Sequence, residues 1–458
     1  MNFQESCLCY QTFKIDRKIN SRLILSSNIH STDSGTSLEV VHVVEKKTKL
    51  KIEKIQCEAS ESQCNETHKA IEQSMKDKRP KSLLVFINPR SGNRGAEKIY
   101  QRKVLPIFQM CGVKTNEYVT SRPNEVRDRL LNTNLNTYDG VVAVGGDGIY
   151  NEVLSALLDR EMKNSGLDPN DPDSRLVQLK LPIGIIPAGS GNYTAWYLNG
   201  TKCPKTAAIR IVMGDCVATN VASLHQGNRC AGYSSLILGF GLFGDVMRDC
   251  EKYRWMGTSR FKVIPVGTVL SRRPVNVIIS YVPAKSGDNN SNAENRVTAP
   301  KQQFHRQISV PVFNTKKARV TFQKRTVSSS ANFGAASEWR TADERVVYAV
   351  DTYPITMKPK GTKMAPHFGE DSLKLRITQK CKLMDHIRQL KEVDDGKSTC
   401  YDFDFVRTIS VERYRVRILN KEMQDFFVNC DGEVICLDGP EIIVSLHRRV
   451  VQLYGSPN

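Results

Sequence analysis

No two cysteines in this chain are spaced as Cys-x-x-Cys; its 13 cysteines are scattered over 458 residues, and only Cys7 and Cys9 lie close together. That argues against a zinc ribbon, a thioredoxin-type redox motif or a disulfide framework, and points to reduced thiols. No apolar stretch follows Met1, so no secretory leader is expected. No uninterrupted apolar run approaches the ~18 residues that a membrane span needs. An RNA-recognition aromatic pattern, zinc-finger spacing and a continuous basic helix are also missing, which disfavours nucleic acid as a partner. The expectation is a cytoplasmic protein, peripheral to membranes.

What the chain has is positive charge and a normal core. Its formal net charge of +18 points to polyanions such as nucleotides or anionic lipid surfaces, and 40% hydrophobic residues suffice for a sizeable interior. The length suggests about two or three domains. Residues 1–80 are weakly patterned, with short β-like runs such as Leu38 to Val44 and a linker-like Lys76 to Lys81. They read as a small β unit, a partial pleckstrin-homology-like region or a disordered extension. Residues 81–205 alternate strands with helices, which implies a three-layer, Rossmann-like α/β domain on a parallel sheet. Strands are expected at 83–87, 113–119, 141–145 and 182–187, and helices at 96–110, from Pro123 to Leu131, and after Gly148 and Asn192. From 206 to 455 strand-like runs dominate, among them 217–224 and 233–238, so an antiparallel β-sandwich is expected there. A polar insertion interrupts it at about 284–341.

Three glycine-rich turns follow strands of the α/β region. The sharpest is Gly145-Gly146-Asp147-Gly148, between Val141 to Val144 and an apolar-periodic helix. Glycines let backbone approach a phosphate, and a helix N-terminus offers N–H groups and positive dipole to it. A carboxylate beside phosphates calls for a metal or a proton to take. Taken alone, the motif suits equally a plain turn with Asp147 as N-cap. Asn88-Pro89-Arg90-Ser91-Gly92-Asn93-Arg94-Gly95 exposes backbone N–H groups and two guanidinium groups but lacks the Gly-Lys-Ser/Thr of a Walker loop. Ser190-Gly191-Asn192 opens a helix, with Asn192 or Ser190 as its expected cap. Ligands of parallel sheets sit at the carboxyl ends of the strands, so the three turns are expected to share one crevice.

Two later segments stand apart. Gly239-Phe240-Gly241-Leu242-Phe243-Gly244 matches a dinucleotide fingerprint literally, but no acidic residue closes a βαβ unit after it, and that reading is declined. The stretch from Asp245 through Asp249, Glu251, Lys252, Arg254 and Arg260 suits a solvated helix laced by ion pairs, or a charged lip for phosphate and substrate. Asp431-Gly432-Glu433 suits a hairpin turn, or two carboxylates that orient a metal or substrate.

Together these segments resemble the diacylglycerol/sphingosine/ceramide lipid kinase family, from about Lys81 to Gly455, and within it the ceramide kinase and ceramide-kinase-like branch. The resemblance rests on Asn88-Pro89-x-Ser91-Gly92, Gly145-Gly146-Asp147-Gly148 with Glu152, Gly184 to Ser190 with Asn192, Gly239 to Asp245, Glu251 to Gly257 and Val428 to Glu433. It implies a kinase with ATP and Mg²⁺ in the cleft between an α/β domain and a β-sandwich, and with ceramide or a related lipid entering the sandwich from a membrane surface. Asp147 would take the proton of the lipid's primary hydroxyl. Asn88, Pro89, Arg90, Ser91, Gly92, Thr120, Gly145, Gly146, Gly148, Glu152, Ser190, Gly191, Asn192, Arg254, Arg260 and Glu433 would line the nucleotide site. Asp245 and Glu251 would face the substrate, and Asp147 or Glu433 would meet the metal through Mg-ATP.

The departures bear on the substrate. Sphingosine kinases carry a further acid two residues beyond the position of Asp245, aimed at the substrate amine; here that residue is Met247. A neutral ceramide is therefore expected over a sphingoid base. Diacylglycerol phosphorylation, or a non-catalytic lipid-binding role on the same fold, stand as alternatives. Residues 1–80 are short for a pleckstrin-homology domain, the closely spaced cysteines of animal ceramide kinases are missing, and Gly191 replaces the threonine usual in the ceramide branch. The sequence sets no oligomeric state.

Overall fold

The computed structural model describes residues 20–32, 35–75, 79–92, 94–122, 124–284, 338–420 and 425–455. The expected insertion at 284–341 lies almost wholly outside the described residues, as do Cys7, Cys9, Lys76 to Lys78, Asn93 and Pro123.

The N-terminal part is an antiparallel sheet of β1 (Ile24–Thr32), β2 (Gly35–Lys46) and β3 (Lys49–Ala59), followed by helix α1 (Glu61–Met75). One face closes against α1 through Ile24, Leu38, Val40, Cys57, Cys64 and Ile71. The other face gives Leu25, Val41, Val43 and Leu50 to the core of the following α/β part. Too small to bury much alone, this sheet shares a core with its neighbour.

The α/β part carries four parallel strands: β4 (Ser82–Ile87), β5 (Lys114–Val119), β6 (Gly140–Gly145) and β7 (Ile183–Pro187), in the spatial order β7-β6-β4-β5. β6 and β7 are buried along their whole length, as parallel strands covered on both faces must be. The expected helix at 96–110 is three pieces in line: α2 (Ala96–Ile99), a π turn (Tyr100–Val104) and α3 (Leu105–Met110). Pro106 lacks an N–H and its ring crowds the carbonyl four residues back, which accounts for the widened turn. Then come α4 (Glu125–Asn132), α5 (Asp147–Asn164), α6 (Tyr193–Asn199) and α7 (Pro204–Met213).

The second part is mainly antiparallel. Its elements are β8 (Cys216–Gln226), β9 (Arg229–Ser234), β10 (Leu238–Gly241), α8 (Leu242–Lys252), a 3-10 stretch (Arg254–Ser259), α9 (Arg260–Leu270), β11 (Val275–Pro283) and β12 (Arg340–Thr341). β13 (Val346–Thr352), β14 (Thr356–Lys360), β15 (Lys363–His367), β16 (Leu373–Gln379), α10 (Leu383–Asp394), β17 (Val406–Ile418), β18 (Phe427–Cys430), β19 (Glu433–Cys436) and β20 (Glu441–Tyr454) complete it. Strand β16 pairs with both β13 and β17, and β11 pairs with the same two, so the four enclose a core of Val277, Ile279, Val350, Leu375, Ile377 and Val416. The last strand, β20, crosses back to the first sheet and meets β7 in parallel at Leu453 and Ile183. The fold is thus an α/β layer and an antiparallel β layer joined through one continuous sheet.

One expected strand is split. The run 233–238 divides between β9 and β10, because the N–H groups of Ser235, Leu236 and Ile237 turn to the carboxylate of Asp431 in place of a strand partner. The Gly239 to Gly244 run does pass from strand to helix, but on an antiparallel strand. Its glycines serve packing: a side chain at Gly244 would strike the Phe427 carbonyl, and one at Gly241 (φ +75°) the Tyr348 carbonyl.

Candidate active site

The three glycine turns leave the carboxyl ends of β4, β6 and β7, which are adjacent, and they touch one another. A Cβ on Gly92 would stand 2.8 Å from the Ala188 carbonyl oxygen, and one on Gly145 would stand 2.6 Å from Ser91 Oγ. Gly189 packs directly on Gly146, where a Cβ would lie 2.7 Å from the Gly146 nitrogen. Only backbone fits at these points, so the three turns line one crevice with backbone.

Asp147 sits at the centre. It is the first residue of α5, yet it does not cap that helix. Its two carboxylate oxygens accept the N–H groups of Thr194 (3.0 Å) and Tyr193 (3.1 Å) at the start of α6. Asn192, at the N-cap position of α6 with φ +55°, does not cap by its side chain. Its amide binds the Gly189 backbone at both ends, accepting from the N–H at 2.9 Å and donating to the carbonyl at 2.8 Å. The caps expected from Asp147, Asn192 or Ser190 are therefore corrected. Asp147 caps the helix of the neighbouring turn, and Asn192 locks that turn's shape. A side chain at Gly191 would press on Asp147 Oδ2, so glycine there leaves the carboxylate room.

The first turn is built the same way. Asn88 Oδ1 accepts from the Arg90 N–H at 3.0 Å, Ser91 N–H donates to the Asn88 carbonyl, and Arg90 reaches the Ser121 carbonyl. Pro89 occupies the turn between them, and Thr120 ends β5 beside it, bonded to the Ile87 carbonyl. Gly148 and Ser190 are exposed.

The charged lip divides into two groups. Glu251 bridges Arg254 (2.8 Å) and Arg260 (3.6 Å). Glu433 is near enough to Arg254 and Glu251 to feel both. Its crowded place in the cleft wall, and then Asp431, raise its pKa, while Arg254 pulls it down. Burial raises Glu152 as well, with Glu433 adding to the effect and the Val126 N–H opposing it; one Glu152 oxygen is buried with no hydrogen-bond partner. Glu152, Glu251, Arg254, Arg260 and Glu433 thus share one wall. Asp245 does not belong to it. It is buried and ion-paired with Arg273 at 2.9 and 3.1 Å and with Arg248 at 3.3 Å. The ion-pair lacing expected of this helix is present within α8.

The sequence reading missed Asn151 and the residues it meets. Asn151, on α5, donates to the Tyr233 carbonyl at 2.8 Å and to Asp431 at 3.1 Å, tying the two parts across the cleft. Its place one turn after Asp147 was the available signal. Tyr193 and Trp196, half exposed beside Asp147, were also missed.

A model of the diacylglycerol kinase catalytic domain matches residues 82–224, which carry all three turns. Ceramide kinase of Homo sapiens is 31% identical over 409 residues, covering 82% of this chain and 74% of its own. The chain belongs to the diacylglycerol and ceramide kinase family of lipid kinases. It is an ATP-dependent lipid kinase by that membership. The ceramide kinase-like protein of Homo sapiens is 26% identical over 422 residues, covering 82% of this chain and 69% of its own. A diacylglycerol kinase from Bacillus anthracis str. Sterne overlays with a TM-score of 0.51 at 12% identity, covering 82% of this chain and 98% of that one, which is a likeness of fold.

The residues present fit the nucleotide such a kinase uses. The turns leave backbone-lined space where side chains would collide, and Arg254 and Arg260 stand at the rim. Among the described residues no three His, Cys, Asp or Glu side chains gather as a metal cage. Mg²⁺ brought by the phosphates would need one or two carboxylates, for which Asp147, Glu152 and Glu433 are the donors at hand. Among the described residues no helix is long and apolar enough to cross a membrane.

Proposed function

We propose that this kinase transfers the γ-phosphate of ATP to the primary hydroxyl of ceramide, giving ceramide 1-phosphate. The observation that carries the reading is the position of Asp147 where the three phosphate-cradling turns meet. Its carboxylate is fixed by two backbone N–H groups, and its remaining lone pairs are left for a proton. Phosphoryl transfer asks a protein chiefly for positioning, charge neutralisation and a group that orients the nucleophile. Asp147 orients the hydroxyl and takes its proton. The backbone of the three turns holds phosphate oxygens through N–H groups other than those of Ser91 and Gly189, which are spent on Asn88 and Asn192, and Arg254 and Arg260 neutralise the charge that develops. Asp147, Glu152 or Glu433 would hold Mg²⁺, which would supply further neutralisation of the phosphate charge. Asn88, Thr120, Glu152 and Glu433 shape the nucleotide pocket.

Two features favour a neutral lipid over a cationic sphingoid base. Position 247 is Met, and the charge of Asp245 is already matched by Arg273 and Arg248. The ceramide kinases among the relatives favour ceramide over diacylglycerol. The test is transfer of labelled γ-phosphate from Mg-ATP to ceramide, diacylglycerol and sphingosine in mixed micelles, with Asp147→Asn alongside. Ceramide phosphate from the wild type only is expected. Diacylglycerol as the better acceptor would overturn the substrate, and no labelled lipid from folded protein would overturn the activity.

A further inference from the structure

Helix α9 reads Arg-Phe-Lys-Val-Ile-Pro-Val-Gly-Thr-Val-Leu and is apolar nearly all round. A helix of that composition is normally buried. Here Thr268 is its one buried residue, while Phe261, Val263, Val266 and Leu270 are 42–59% exposed. Trp255, in the 3-10 stretch just before it, is 80% exposed. At 100° per residue Val263, Val266 and Leu270 share one side of the helix, away from Thr268, and with Trp255 they leave an exposed apolar surface that water does not favour without a partner. The segment itself is basic, although Lys252 and Arg254 meet Asp249 and Glu251 of α8. From Lys252 to Arg273 there are six basic residues and no acid, with Lys252, Arg254 and Lys262 exposed. Arg260, the first residue of α9, pairs with Glu251 at the lip, so the face adjoins the site wall.

We propose that this face docks on an anionic bilayer, with Trp255, Val263, Val266 and Leu270 sunk into the interface and the flanking lysines against the headgroups. The inference deepens the lipid-kinase reading and rests on it: the enzyme meets its substrate where the substrate lies, and the lip opens beside the contact. Apolar insertion plus attraction of basic residues to acidic lipid is the chemistry of interfacial helices, and tryptophan favours that depth. A protein partner would more often bring acids to match the basics and would not require an acidic lipid.

The experiment is co-sedimentation of the full chain with phosphatidylcholine vesicles, with and without phosphatidylserine, at low and high salt. Phosphatidylserine-dependent binding that weakens with salt is expected. The triple variant Trp255→Ser, Val263→Ser, Val266→Ser should bind anionic vesicles at least tenfold more weakly, and Lys262→Glu should lessen the salt dependence. Phosphate transfer by the triple variant to a short-chain, water-soluble ceramide should be unchanged, while transfer to ceramide in vesicles falls. Vesicle binding equal to the wild type's would overturn the proposal. So would a wild-type dimer in sedimentation velocity that the triple variant abolishes, since a second copy would then cover the face. Salt-sensitive vesicle binding without phosphate transfer to any lipid would support the docking face and sink the kinase reading alone.

Discussion

Asn151 and Asp431 are 280 residues apart and joined by one hydrogen bond of 3.1 Å, across the seam between the two parts. Asp431 is buried and also accepts from Ser234 Oγ (2.6 Å) and from the N–H groups of Ser235, Leu236 and Ile237. The carboxylate thereby ends β9, starts β10 and aims Glu433 at the cleft. Asp431→Ala strands several buried donors at once and should cost about 3 kcal/mol or more, whereas Asn151→Ala should cost about 1–2 kcal/mol. Denaturant unfolding measures both. Equal, small losses would show that the seam does not depend on Asp431.

Asp147→Asn tests the catalytic assignment against a structural one. The amide oxygen can still accept from one N–H at the start of α6, so stability should fall by no more than about 1 kcal/mol. A general base contributes about 10²- to 10⁴-fold, and turnover should drop by that much. Nucleotide affinity, measured separately by titration, should be nearly kept. A variant that loses nucleotide binding together with activity would assign Asp147 to the cradle.

How far these features were legible depends on how local they are. The strands at 83–87, 141–145 and 182–187 were readable because buried parallel strands are continuous apolar runs closed by glycine. That the three turns share one crevice was expected because each follows a strand of one parallel sheet. The cap on α6 was not readable, because it comes from Asp147, 46 and 47 residues away in the chain from the N–H groups it accepts, and a cap is expected from a near neighbour. Asp431 looked like an ordinary hairpin aspartate, since nothing local says that a buried carboxylate gathers donors from 234–237. Asp245 was expected to face the substrate from the family resemblance, and its pairing with Arg273 from beyond α9 could not be read locally. The apolar face of α9 was invisible for the opposite reason: its sequence predicts burial.

Gly189→Ala tests the crevice. The added methyl meets the Gly146 backbone, which no rotamer change can relieve, so the second and third turns must part. Overpacking of this kind costs about 1–3 kcal/mol. The larger effect should be on nucleotide, with KM for ATP raised at least tenfold and KM for lipid little changed. Gly148→Ala is the control, since a Cβ there meets open space.

Acid should loosen the joint between the parts through His447. Burial, then His225, Arg175 and Arg413, hold its pKa down to about 3 from 6.5. The ring is neutral in the fold, where Nδ1 accepts from the Leu176 N–H at 3.1 Å and Nε2 donates to Ser223 Oγ at 2.9 Å. Between pH 6.5 and about 3 the unfolded chain binds a proton that the folded chain refuses. Its contribution is therefore whole above pH 6.5 and declines as pH falls through that window. His386 is shifted the same way, to about 4, so the decline is shared. Unfolding free energies between pH 7 and 4 should show a slope shallower by up to one proton in His447→Gln, and an unchanged slope would place the titration elsewhere.

Lipid choice can be tested by restoring a negative charge that this lip lacks. Met247 is partly buried on α8, on the same helix as Asp245. Asp245 is bound by Arg273 through two hydrogen bonds and by Arg248 through one, so its charge is matched. A carboxylate at 247 would add a negative charge beyond the one that Arg273 and Arg248 match, and it would attract a cationic amine. Met247→Asp should therefore raise kcat/KM for sphingosine relative to ceramide, by a factor of about ten for each ~1.4 kcal/mol of new attraction. Arg273→Met reaches the same charge by another route, but it leaves the buried Asp245 with Arg248 alone, at a cost of up to about 3–5 kcal/mol. Its selectivity should move the same way while its stability falls, and the Met247→Asp protein should stay stable. If neither substitution moves the ratio of the two lipids, the neutrality of this lip does not select the substrate, and ceramide preference must arise from contacts with the acyl chain.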